Sequence, residues 1–253
     1  WCITCAFGGS FPTRFGLCKG VAEAMDIIAV KCLTNIGFGS NWSVIKAIEI
    51  AYARGAKVIS MSLGGELQGR VTEDPLCQLI ERLKDEAIFV VAAGNSGPSG
   101  WTIGSPGASP HALTVGAWST HYQGLAIFSS RGPSGDYYKE SQGSWNTDLG
   151  IYGEDMVKPD IVAPGGGPVE DGQVPDMIYS GVTGWTDGIN DLTPGDGFDA
   201  SRGTSMATPA VAGLVAYAYD RGLIRTAADV KNRLRARRAK DSGQMGYGLI
   251  NLD

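Results

Sequence analysis

The stretch "IFVVAAGNSG", residues 88–97, decides the fold. Six apolar residues, Ile88 to Ala93, run without interruption into a polar, glycine-flanked turn. A run that short and that continuous suits a strand buried on both faces. Similar runs stand on either side: "MDIIAVKCL" (25–33) and "KVISMSLGG" (57–65) before it, "ALTVGAW" (112–118) and "LAIFSS" (125–130) after it. Helical patterns separate the first three. "SVIKAIEIAYARG" (43–55) repeats apolar residues at Val44, Ile45, Ile48 and Tyr52, with Ser43 as the expected cap and Gly55 as the expected stop. "PLCQLIERLKDEA" (75–87) carries Pro75 where a first helical turn tolerates it. This β-α-β-α-β order predicts an α/β protein of three layers, with a largely parallel sheet and helices on both faces. Ligands of such sheets gather beyond the carboxyl ends of the strands, so "SLGG" (62–65) and "AAGNSG" (92–97) are candidate site loops.

Bulk properties narrow the function. A chain of 253 residues fits one large α/β domain, taken here as residues 1–253. The net charge of −5 speaks against a nucleic-acid partner, which favours a basic face. The one basic run, "KNRLRARRAK" (231–240), reads as the solvated face of a terminal helix. No apolar stretch reaches the roughly 20 residues of a membrane span, so no membrane partner is expected. Of five cysteines, Cys2 and Cys5 have Cys-x-x-Cys spacing. With no second pair and no histidine nearby, they read as small buried helix residues, and no metal ligands are predicted. Two segments, 131–158 and 165–200, read as long surface loops. The second includes "TDGINDLTPGDGFD" (186–199), whose four aspartates do not have the spacing of an EF-hand and are read as a solvated loop.

The chemistry centres on "SRGTSMATPA" (201–210). Ser205 sits among small residues at the start of a helix-compatible run, where the helix dipole favours negative charge. A nucleophilic serine needs a base and donors for an oxyanion. Asn95, in the "GNSG" turn, offers a neutral amide donor, and the Ser205 backbone N–H offers a second. The only histidines, His111 and His121, flank a later strand and read as loop or surface residues.

Five segments together resemble the subtilisin-like serine proteases: "VISMSLGG" (58–65), "VVAAGNSG" (90–97), "FSSRGP" (128–133), "VKPDIVAPG" (157–165) and "GTSMATPA" (203–210), in the family's order. The resemblance implies a polypeptide substrate, catalysis by Ser205 and an oxyanion contact from Asn95. It also implies a substrate-binding strand at Ser62, Leu63 and Gly64, and an opposing edge at Gly37, Phe38 and Gly39. Ala92, Ala93 and Gly94 would wall the pocket for the side chain before the scissile bond, and Thr204 is counted among the substrate-binding residues. Small walls there leave room for a large apolar side chain. The resemblance implies no required cofactor. It does allow calcium, which many members bind, and it leans towards a secreted or extracellular setting.

The family's triad runs Asp, His, Ser in chain order. "GVAEAMDIIAVKCL" (20–33) resembles the segment that follows the histidine helix, so the first two members belong ahead of it. A gapless placement puts Trp1 on the histidine. An insertion of three puts the histidine upstream of Trp1. The strand bearing the aspartate, and its neighbour, have no counterpart between 33 and 57. The sheet is therefore expected to lack its first strands and to need a complementary N-terminal chain. The other reading is a catalytically dead scaffold with Trp1 in place of the base. An α/β-hydrolase is excluded: "GTSMA" lacks the second glycine of its elbow, and no histidine follows residue 121.

Overall fold

A computed structural model describes residues 11–13, 16–18, 20–22, 25–67, 69–132, 157–167, 176–181, 197–237 and 245–250. Cys2, Cys5 and residues 186–196 of the four-aspartate segment lie outside them. A parallel sheet forms the middle layer. Strand β3 (Val58–Met61) pairs with β4 (Ile88–Ala92), β4 with β5 (Leu113–Ser119), and β5 with β7 (Ile161–Pro164). The short β6 (Gly124–Leu125) returns antiparallel on the end of β5. Leu249 bridges Val162 in parallel, so the closing segment lies beside β7. Two small hairpins stand apart: β1 (Phe11–Thr13) with β2 (Gly16–Cys18), and β8 (Ile178–Gly181) with β9 (Phe198–Ser201).

Alternation along β4 builds two cores. Ile88 and Val90 face one side, where they meet Val211 and Val215 of helix α3 (Thr204–Asp220) and Val230 of α4 (Ala227–Arg237). Phe89 and Val91 face the other, against Val44 and Ile48 of α1 (Asn41–Ala53) and Leu79 and Ile80 of α2 (Pro75–Leu83). All four β4 side chains are fully buried, as the unbroken apolar run requires. The expected three layers, with helices on both faces of a mainly parallel sheet, are present.

Local departures have physical causes. Helix α1 begins earlier than expected, because Ser40 is its cap. Its Oγ accepts from Ser43 N at 3.2 Å while Ser43 Oγ accepts from Ser40 N at 3.1 Å, a reciprocal capping box. Gly55, with φ +90°, ends it in the left-handed conformation that glycine adopts without strain. In the segment "LAIFSS" only Leu125 stays in a strand, because Ser129 N bonds back to Ala126 O at 2.9 Å and closes a turn. Lys231 is not solvated. It is 6% exposed and its ammonium reaches Asp160 Oδ1 at 3.3 Å and Pro110 O at 2.6 Å. Asp160 Oδ2 also takes Lys158 Nζ at 2.7 Å and Thr114 N at 2.8 Å, so one buried carboxylate ties β5, β7 and α4 together.

The run 25–33 is not a strand. No ladder forms on it, and Ile27 is 47% exposed. Among the described residues β3 pairs on one edge only, with β4. Between that free edge and the 25–32 run lies a groove of about 610 Å³, lined by apolar groups that include Ile28, Val30, Ile48, Ala51 and Ile59.

Candidate active site

The carboxyl ends of β3 and β4 converge on the amino end of α3, as the strand order requires. Gly203 is the residue before the helix, Thr204 the first helical residue and Ser205 the second. Gly203 has φ +148°, a conformation that β-carbon-bearing residues rarely adopt. A Cβ there would stand 3.4 Å from Asn95 Nδ2. Its N–H donates to Gly165 O at 2.8 Å, which fastens the helix start to the end of β7.

Asn95 is held from one side. Its Oδ1 accepts from Thr204 N at 2.9 Å and from Thr204 Oγ1 at 3.1 Å. A backbone N–H can only donate, so the atom facing it is the oxygen and the NH₂ is turned elsewhere. Thr204 Oγ1 in turn accepts from Gly94 N at 3.3 Å. The fully buried threonine hydroxyl thus links the strand turn to the helix.

Ser205 makes a reciprocal pair with Ser62, the residue just past β3. Ser205 Oγ donates to Ser62 O at 3.3 Å, and Ser62 Oγ donates to Ser205 O at 2.9 Å. The second bond has a cause in the sequence. The Ser205 carbonyl would ordinarily accept from the residue four places on, but that residue is Pro209, which has no N–H. Ser62 supplies the missing donor.

A pocket of about 660 Å³ opens beside Ser205. It brings together the predicted Leu63, Gly64, Ala92, Ala93, Gly94, Asn95, Thr204 and Ser205, and adds Glu66, Trp101 and Ile103. Gly65 and Ser105 form an antiparallel bridge along one wall. Gly64 and Gly104 are obligatory there. A Cβ on Gly64 would meet Ser105 O at 2.9 Å, and one on Gly104 would collide with Gly65 O. Behind the pocket, burial and then the nearby Asp74 carboxylate push the Cys77 thiol up, so it packs as a neutral group.

Gly37, Phe38 and Gly39 are not among the lining residues. They lie in the turn before α1, where Thr34 N donates to Phe38 O at 2.7 Å and the Phe38 side chain is 72% exposed. Neither histidine lines the pocket. His111 pairs with Glu81 of α2, and the His121 ring meets Tyr122 edge-on. Ser130 was not expected. Its Oγ accepts from Ser96 N at 3.1 Å and its N–H donates to Gly94 O at 2.9 Å, bracing the Asn95 turn from the "FSSRGP" segment. The role of the Ser62 hydroxyl was also missed, although proline four places after Ser205 signals a carbonyl in want of a donor.

Among the described residues no group of three or more His, Cys, Asp or Glu side chains could hold a metal ion, and no helix is long and apolar enough to cross a membrane. Residues 4–248 match the model of the subtilase family. Serine protease AprX of Bacillus subtilis is 32% identical over 259 residues, covering 94% of this chain and 53% of AprX. Pyrolysin of Pyrococcus furiosus is 34% identical over 226 residues, 78% of this chain and 14% of pyrolysin. Subtilisin DY of Bacillus licheniformis is 30% identical over 239 residues, 92% of this chain and 69% of that protein. Among solved structures, sphericase superposes with a TM-score of 0.63 at 27% identity, covering 93% of this chain and 71% of that one. The chain belongs to the subtilase family, the serine peptidases of the subtilisin kind. It spans about half of AprX and about a seventh of pyrolysin.

Proposed function

We propose that this chain is the larger part of a serine endopeptidase domain that cleaves polypeptides through an acyl-enzyme on Ser205. The observation that carries the proposal is the Asn95 amide. With Oδ1 committed to Thr204, its NH₂ is the end left to donate into the pocket beside Ser205. The Ser205 N–H, in the first turn of α3, has no helical acceptor and is the second donor. Attack by Ser205 Oγ on a scissile carbonyl would put the new oxyanion between them. Ser62, Leu63 and Gly64, which follow β3 directly, would serve as an edge on which a peptide backbone adds as a strand. Gly37, Phe38 and Gly39 form the other side of that cleft.

The base and its aspartate come, in this proposal, from an N-terminal segment that docks on the free edge of β3. The apolar groove of about 610 Å³ there, and the ladderless 25–33 run beyond it, have the form of a place for further strands. In the chain as described, the Ser205 proton points at Ser62 O, a weak acceptor at 3.3 Å that an incoming imidazole would displace.

A fluorophosphonate probe tests the reading. The chain alone should label slowly. The chain joined to the sequence encoded ahead of it should label at Ser205 and cleave casein. Absence of both in the joined protein refutes the proposal and leaves a dead scaffold. Losing either serine or histidine alone costs about 2 × 10⁶ in turnover, a value measured in subtilisin.

A further inference from the structure

Among the described residues that line the pocket beside Ser205, Glu66 is the one ionisable group; the others are glycines, alanines, other apolar groups and neutral polar ones. Glu66 is exposed, and among the described residues it has no ion-pair partner. Glu66 follows Gly65 directly, so the Gly65–Ser105 bridge fixes its backbone at the pocket wall. Ser62, four residues earlier in the chain, touches Ser205. The four residues from Ser62 to Glu66 span at most about 14 Å, and Glu66 and Ser205 line the same pocket.

Composition alone suggests a large apolar side chain for this pocket. The carboxylate changes that reading. An aliphatic stem would lie on Ala92, Ala93 and the glycine walls, and its end could reach the Glu66 carboxylate, beside which the described lining residues place no cation. Stem and tip together describe lysine or arginine, whose methylenes pack on apolar surface while the charged head stays near water. A glutamate or aspartate at the same place would meet like charge.

We propose that Glu66 sets the specificity of this site for a basic residue immediately before the scissile bond. The proposal rests on the peptidase reading above and deepens it.

The test uses the chain joined to its N-terminal segment and peptides that differ only at that position: lysine, its neutral counterpart norleucine, and glutamate. For the unaltered protein the lysine peptide should lead norleucine in kcat/KM by about five- to tenfold. That is the span between a screened surface pair and a charge-assisted bond in a pocket. The lead should shrink at 0.5 M salt. Glu66→Gln should abolish it, Glu66→Asp should retain part of it, and Glu66→Lys should turn the order towards the glutamate peptide. A lysine-to-norleucine ratio that is the same in the unaltered and Glu66→Gln proteins overturns the proposal. Equilibrium binding of product peptides ending in the same three residues gives a second reading of the ratio. If nothing is cleaved and Ser205 does not label, the peptidase reading has failed. The binding ratio then decides the role of Glu66 by the same criterion.

Discussion

Replacing Thr204 by valine keeps the side chain's shape and deletes one hydroxyl. That hydroxyl is fully buried, donates to Asn95 Oδ1 at 3.1 Å and accepts from Gly94 N at 3.3 Å. The Thr204 N–H bond to Asn95, at 2.9 Å, survives the change. Two hydrogen bonds of ordinary net worth are lost and the Gly94 amide is left without its acceptor. The cost is about 1–3 kcal/mol, or a Tm lower by about 3–9 °C for a domain of this size. The catalytic effect is separate. Removing an oxyanion donor outright lowers kcat by about 10²–10³, a magnitude established on subtilisin itself. Thr204→Val removes only one of the two anchors of the proposed donor, Asn95, so kcat should fall roughly tenfold, with KM little changed. The assay is steady-state hydrolysis by the chain joined to its N-terminal segment, with Tm measured by calorimetry. In an Asn95→Ala background the valine should lower Tm again but leave kcat where it was, because the amide it orients is gone. A kcat unaltered by Thr204→Val in the Asn95 protein would refute the orienting role. So would an equal further loss of kcat in the Asn95→Ala background.

Two further outcomes follow from the same geometry. Ser62→Ala should leave the Ser205 carbonyl without a donor and lower kcat about tenfold, while Ser62→Thr, which restores a hydroxyl, should recover most of it; a fall in Tm with kcat intact would make Ser62 merely structural. At the start of α4, Asp229 accepts from Arg225 N at 2.8 Å and Thr226 N at 2.9 Å, and these backbone donors hold its carboxyl below the usual aspartate range. Its contribution to stability is therefore complete above about pH 4, the unfolded value, and fades as pH falls through the lower folded value. Asp229→Asn should lower Tm at pH 7 by a few degrees and flatten the acid limb of the Tm profile; an unchanged limb would assign acid sensitivity to other groups.

Much of the sheet was legible because its strands are written as uninterrupted apolar runs. Ile88 to Ala93 reads as doubly buried, and both faces of β4 are covered. The same reasoning fails for 25–33, since the pattern reports a demand for burial and not whether neighbours exist to meet it. The meeting of Ser205, Asn95 and the 62–64 segment followed from the strand order together with the resemblance. Hydroxyl bookkeeping was harder. Ser40 displaced Ser43 as a cap because capping depends on backbone angles three residues away. Lys231 was lost from view because its partner, Asp160, is 71 positions distant and only the folded chain brings it within 3.3 Å. Glu66 escaped notice because a glutamate after a glycine pair carries no pattern of its own.

Pro209 has a meaning beyond local geometry. A proline inside a helix usually weakens it, by about 3 kcal/mol or more. Here it leaves the Ser205 carbonyl open, and the open acceptor is filled from β3 and not from the helix itself. Ser205 is thereby held jointly by two segments that lie 143 positions apart. A helix that forms before the sheet does has its serine in a loosened turn, without the Ser62 hydroxyl and without the Thr204–Asn95 tie. Reactivity becomes a property of the assembled interior. For a molecule proposed to cut polypeptides, the site would thus be complete only once its own strands are in place.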